Sequence, residues 1–220
     1  MHIRRIISIH MPMLLLALVM MGCQKTYYNT MEAFGVHKRD ILVDRVEKAR
    51  DDQQEAKVEF QTALDKFSSV VNVPGSDLRT KYDELNAQLK RCDGKAEDVR
   101  DRIAAIESVG DALFAEWEDE LDQYSSADLR RRSEETLDLT RSRYDQLMRA
   151  MKRAEAKMEP VLVAFNDQVL FLKHNLNAQA IASLQGEVAG IEDDVAALIA
   201  EMTAAIAEAN AFIDGMGEGG

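Results

Sequence analysis

Side chains able to do specific chemistry are sparse in this 220-residue chain, which has four histidines, two cysteines and one tryptophan. Beyond residue 22 the histidines are His37 and His174, far apart, and the residue three before His174 is Phe171. That excludes the Glu-x-x-His repeats of carboxylate di-metal bundles, and neither His-Glu-x-x-His nor paired cysteines occur. No glycine-rich phosphate loop or nucleophile elbow is present. No catalytic residue, metal ligand or cofactor is therefore assigned, and a non-enzymatic protein is expected. Cys92 falls on an apolar seam, with Lys90 and Arg91 pointing off it, so it reads as a small buried hydrophobe. The densest polar cluster is acidic on one side (Glu116, Glu118, Asp119, Glu120, Asp122) and basic on the other (Arg130, Arg131, Arg132). With Phe114, Trp117, Leu121 and Tyr124 as anchors, it is a candidate partner-docking tip, because Trp, Tyr and Arg dominate many interfaces. The plainer alternative sets Arg131 opposite Asp119 and Arg130 opposite Glu120. Such exposed pairs are each worth less than about 1 kcal/mol.

The second cysteine, Cys23, has a different chemistry. Residues 1–22 have a basic start at Arg4 and Arg5 and an apolar stretch from Ile6 to Met21, broken by Ser8, His10 and Pro12, as in a secretory signal. The stretch ends Met20-Met21-Gly22-Cys23, which resembles the bacterial lipobox, although Met20 stands where Leu is usual. The resemblance implies cleavage before Cys23 and acylation of its thiol. Gln24, in place of Asp, then points to the periplasmic face of the outer membrane. Two or three acyl chains anchor far more stably than one. Beyond this leader no segment approaches eighteen apolar residues.

Charge and composition narrow the rest. The formal charge is −12, and about −14 without Arg4 and Arg5, a balance that repels nucleic acid and anionic lipid. No nucleic-acid partner is expected. Aromatics at 6 %, three prolines and 30 % charged residues suit long amphipathic helices better than a compact mixed fold.

The elements that must position the tip follow from apolar spacing. Residues 23–36 form a tether that would span roughly 40 Å when extended. Whether Tyr27 and Tyr28 lie at a lipid interface or against the helices is left open by the sequence. Over 37–71, Leu42, Val46, Ala49, Gln53, Ala56, Phe60, Ala63, Phe67 and Val70 recur at steps of four and three. The same rhythm runs from Leu78 to Trp117 and from Leu137 to Leu172, the a/d seam of helices that face one another along their length. Pro74-Gly75 separates the first two helices, and Ser76 or Asp77 would cap the second. Tyr124–Asp128 is short enough to force an antiparallel turn. From Pro160 the third helix becomes apolar on most sides, predicting a kink and burial on several faces. A fourth, Ala-rich helix is expected over 178–213.

The expected fold is all-α: an antiparallel bundle of four long helices over 37–214 with a protruding two-helix coiled-coil hairpin, and a disordered tail at 215–220. Middle helices of about 48 residues would run about 72 Å and the outer pair about 53 Å. The middle pair should project at the Ser125 end. Gly94 and Gly110 both lie inside the second helix, and Gly110 sits on its seam, where it would permit close approach or a bend.

The runs Tyr27-Tyr28-Asn29-Thr30-Met31-Glu32-Ala33-Phe34-Gly35 through Leu42, Val46–Arg50 and Phe171–Asn177 resemble a bacterial family catalogued only as a domain of unknown function. The resemblance covers most of the chain after the leader. It implies a coiled-coil envelope lipoprotein and transfers no site residues. The expected role is an outer-membrane-tethered periplasmic scaffold or adaptor, binding another envelope protein or itself. The alternative is a lipid- or membrane-handling factor.

Overall fold

The computed structural model describes residues 28, 31, 36–72, 78–175 and 184–217. Four long helices account for nearly all of them: α1 (Lys38–Asn72), α2 (Leu78–Leu121), α3 (Ala127–His174) and α4 (Val188–Gly217). Among the described residues there is no β-strand. The helices form a bundle in which α2 packs on α1 and α3, and α4 packs on α3 and α1.

The seams explain why. All nine α1 seam positions from Leu42 to Val70 are buried, as are Cys92, Ala96, Val99, Ile103 and Ile106 on α2. Met151, Ala154 and Met158 on α3 meet Leu198, Met202 and Ala205 on α4 in the same apolar core. Each large side chain so buried contributes roughly 1.5–3 kcal/mol before entropy is counted. One seam residue breaks the pattern. Gln53 is wholly buried, and neither its amide oxygen nor its amide nitrogen has a hydrogen-bond partner.

Several elements depart from the sequence expectation. Ser126 caps α3 with its hydroxyl accepting from the Leu129 N–H, but the expected capping pair Ser76 and Asp77 lies outside the described residues. α3 continues through Pro160, whose missing N–H costs one internal hydrogen bond without ending the helix. Its C-terminal part buries Val161, Leu162, Phe165, Val169 and Leu172 but leaves Val163, Leu170 and Phe171 exposed. Phe165 and Val169 line one small cavity with Ala63 and Phe67 of α1 and Leu85 and Leu89 of α2, so this stretch is buried on more than one face, as expected, while part of its girth stays open. α4 begins at Val188, after a turn at Gln185–Glu187, and the expected start near 178 lies outside the described residues. It ends later than expected: the helix runs through Gly217, into the segment expected to be disordered, because Met216 buries its side chain and Arg39 donates to its carbonyl.

α4 also contains a stretch long and apolar enough to cross a membrane by length and composition, contrary to the expectation that none followed the leader. Alanine supplies much of that apolarity, and the α4 seam from Ile191 to Met216 is buried in the bundle.

Candidate docking site at the hairpin end

The tip residues lie around the turn that joins α2 to α3. Lys38, the first residue of α1, is nearly buried and donates to Glu116 at 2.9 Å, and the end of α4 meets Arg39. Residues 122–132 are all exposed, so the seam has narrowed to a few contacts.

The six tip residues do not act alike. Leu121 is buried, 9 % exposed, and closes the seam between α2 and α3. Trp117 is half-buried against the core, and its indole N–H donates to Ser133 Oγ at 2.8 Å. Tyr124 is 42 % exposed and its hydroxyl reaches the same Ser133 oxygen at 3.4 Å. Ser133 thus ties both aromatics to α3, a role that the sequence did not reveal. The arginines are paired differently from the expected register. Arg130 meets Asp122 at 2.9 Å instead of Glu120. Arg131 turns to Asp128 and Glu135 on its own helix, at 2.8 and 2.7 Å, instead of Asp119. Arg132 also reaches Asp128, at 2.9 Å. Pairs at i,i+3 and i,i+4 are always within reach on one helix, so they win over cross-turn pairs whose geometry depends on the turn. Those two carboxylates hold the Arg131 guanidinium even more firmly protonated than usual.

Beside Trp117 lies a cleft of about 340 Å³, lined by Arg39, Trp117, Leu139, Thr140, Arg143 and Met216 among others. Leu139 is 52 % exposed, an apolar side chain in a lining that also holds two arginines. Sequence reading missed Arg39, Leu139, Arg143 and Met216 because they come from three helices and none carries a motif. The mismatch in helix lengths was the one available signal.

A second feature lies one layer inward. Tyr144 of α3 packs edge-on to Phe114 of α2, with ring centroids 5.2 Å apart, and to Phe212 of α4 at 6.4 Å. The ring fits only because residue 110 is glycine: a Cβ there would lie 2.6 Å from the Tyr144 ring and hydroxyl. Burial, then the carboxylates of Asp111, Glu107 and Asp145, push the Tyr144 phenol pKa up, so it stays neutral. Cys92, by contrast, is wholly buried. Burial and then Glu59 push its thiol up to about 12, so thiolate chemistry is suppressed as the seam position implied. Among the described residues, no three His, Cys, Asp or Glu side chains gather in a way that could hold a metal ion.

Fold and site together define an all-α helical bundle with an aromatic and arginine cleft near one end. Residues 27–216 match the family described as "Protein of unknown function (DUF2959)", and the chain belongs to that family. No curated protein and no solved structure matches it.

Proposed function

We propose that the protein is a periplasmic lipoprotein, anchored to the outer membrane through acylated Cys23, whose antiparallel four-helix bundle presents a two-helix coiled-coil hairpin to another envelope protein. It acts as a scaffold or adaptor and not as an enzyme. The observation that carries this reading is the cleft beside Trp117, whose lining includes exposed Leu139 together with Arg39 and Arg143. An apolar anchor rimmed by arginine is the composition that concentrates binding energy in protein interfaces. The antiparallel arrangement is supported by pairs whose numbers rise on one helix as they fall on the next. Lys38–Glu116, Asp52–Arg102 and Glu55–Lys95 link α1 to α2, and Arg100–Glu159, Glu107–Lys152 and Glu118–Arg141 link α2 to α3. The anchor is supported by Gly22-Cys23-Gln24 at the end of an apolar leader.

The test is photocrosslinking in living cells, with the probe at Leu129 or Leu139 and at Asp193 as a control. A discrete heavier protein band from the two tip positions alone is the expected result. The second reading, a lipid-handling factor, is favoured by the apolar length of α4. It predicts lipid adducts in place of that band, and flotation of the unacylated protein with liposomes. Equal labelling at tip and control would remove the tip from consideration.

A further inference from the structure

Tyr28 belongs by sequence to the tether, yet it is 2 % exposed and part of the core. Its hydroxyl lies 2.9 Å from Ser108 Oγ on α2. Arg45 of α1 donates to that same hydroxyl at 2.8 Å and to the Ala105 carbonyl of α2 at 2.6 Å. The Arg45 guanidinium also stands 5.5 Å from the centre of the Tyr28 ring, within cation–π range. Met31 packs against the core, and the Val36 N–H donates to its carbonyl at 3.1 Å. Tyr28 precedes the start of α1 by ten residues but sits beside residue 45, two turns into that helix.

A tether residue that only grazed the surface would keep its phenol in water. Here the ring is buried, the hydroxyl is bound from both helices, and one arginine joins helix, ring and backbone. Arg45 is part of the socket with or without the tether, since its bond to Ala105 ties α1 to α2 independently of Tyr28.

We infer that the α1–α2 groove is a docking socket for the N-terminal segment, and that Tyr28 in this socket holds the bundle by its flank close to the bilayer carrying the Cys23 anchor. The inference rests on the acylation proposed above. The five residue steps from Cys23 to Tyr28 span at most about 17 Å, whereas the fifteen steps from Cys23 to Lys38 would span about 50 Å. Docking thus shortens the leash about threefold. The bilayer becomes the partner of the α1–α2 flank near Ser108. Freed from the socket, the same chain would let the bundle roam well into the periplasm.

The experiment uses the full acylated protein in vesicles of phosphatidylethanolamine and phosphatidylglycerol. A donor dye is placed on Asp101→Cys, an exposed α2 position near the socket, and acceptor dye on the lipid headgroups. Intact mass reports the acyl chains on Cys23, and circular dichroism reports the helices. Energy transfer should be high in the parent protein, lower in Tyr28→Phe, which keeps the ring and loses the hydroxyl bonds, and lowest in Tyr28→Ala. Acylated, helical Tyr28→Ala with unchanged transfer would overturn the socket alone. A mass without acyl chains on Cys23 would overturn the anchoring on which the inference depends.

Discussion

Gly94 and Gly110 lie sixteen residues apart on α2, and the molecule uses them in opposite ways. Around Gly94 the helix faces open space: a Cβ there would meet nothing within 4 Å. At Gly110 the missing side chain is filled by the Tyr144 ring, itself held between Phe114 and Phe212. The same residue type is a helix-weakening passenger in one place and half of a shape-matched pair in the other. The Gly110 level joins α2, α3 and α4 through rigid aromatics that admit few alternative packings. Nearer Gly94 the core is more permissive: it holds small alanines, the thiol of Cys92 and, from α1, the unpaired amide of Gln53. One end of the bundle specifies its neighbours closely; the middle tolerates a group that apolar packing would not select.

The largest effect that tests this contrast is at Cys92. Its native thiol pKa is raised by burial and Glu59 from 9.0 to about 12, so the native state holds a proton that the unfolded chain loses above pH 9. That contribution is fully present below pH 9 and is lost as pH rises toward 12, with a slope of up to about 1.4 kcal/mol per pH unit. Denaturant titrations of the parent and of Cys92→Ser should therefore diverge in slope between pH 9 and 11, the variant being flatter. Parallel curves would mean that the thiol is not sealed. Next is Gln53→Met, which keeps the volume and removes two unsatisfied amide atoms; a gain of about 1–3 kcal/mol is expected in urea unfolding. A loss would show that Gln53 has a polar partner in solution and that the middle of the bundle is as closely specified as the Gly110 level. Third, Gly110→Ala should destabilise by about 1–2 kcal/mol, because overpacking against Tyr144 outweighs the helix propensity gained. Combining it with Tyr144→Leu should give a smaller loss than the two single changes added together, since the clash vanishes with the ring.

How much of this was readable beforehand follows from which interactions are periodic. The seams are, and every α1 position picked by the four-three rhythm is buried, Gln53 included. The turn between α2 and α3 was readable from the short Tyr124–Asp128 link, but the cap that Ser126 supplies was not singled out. The Tyr144–Gly110 match was half visible: glycine on a seam announced close approach, but nothing named the ring that would fill it. The Arg131 partners were misread because a turn-centred register ignores carboxylates one turn along the same helix, whereas Arg130 does pair across the turn, with Asp122 in place of Glu120. The cleft beside Trp117 and the Tyr28 socket were illegible for a common reason. Both join residues between 16 and 177 positions apart, where neither spacing nor motif constrains the pairing.

The smallest expected effect bears most directly on the open side of the comparison. Gly94 is exposed, its α2 backbone is regular, and no atom stands where a Cβ would go. Gly94→Ala should then stabilise by about 1 kcal/mol, the helix-propensity difference alone, raising the melting midpoint by about 2–4 °C for a chain of this size. The purified protein should show this gain with no change in helical content. If the gain appears in isolation but the variant is depleted from its cellular crosslinks, the bare surface at Gly94 is occupied by another molecule whose backbone comes too close for a methyl group. A glycine that costs the monomer stability would then be serving an assembly, as Gly110 serves the fold.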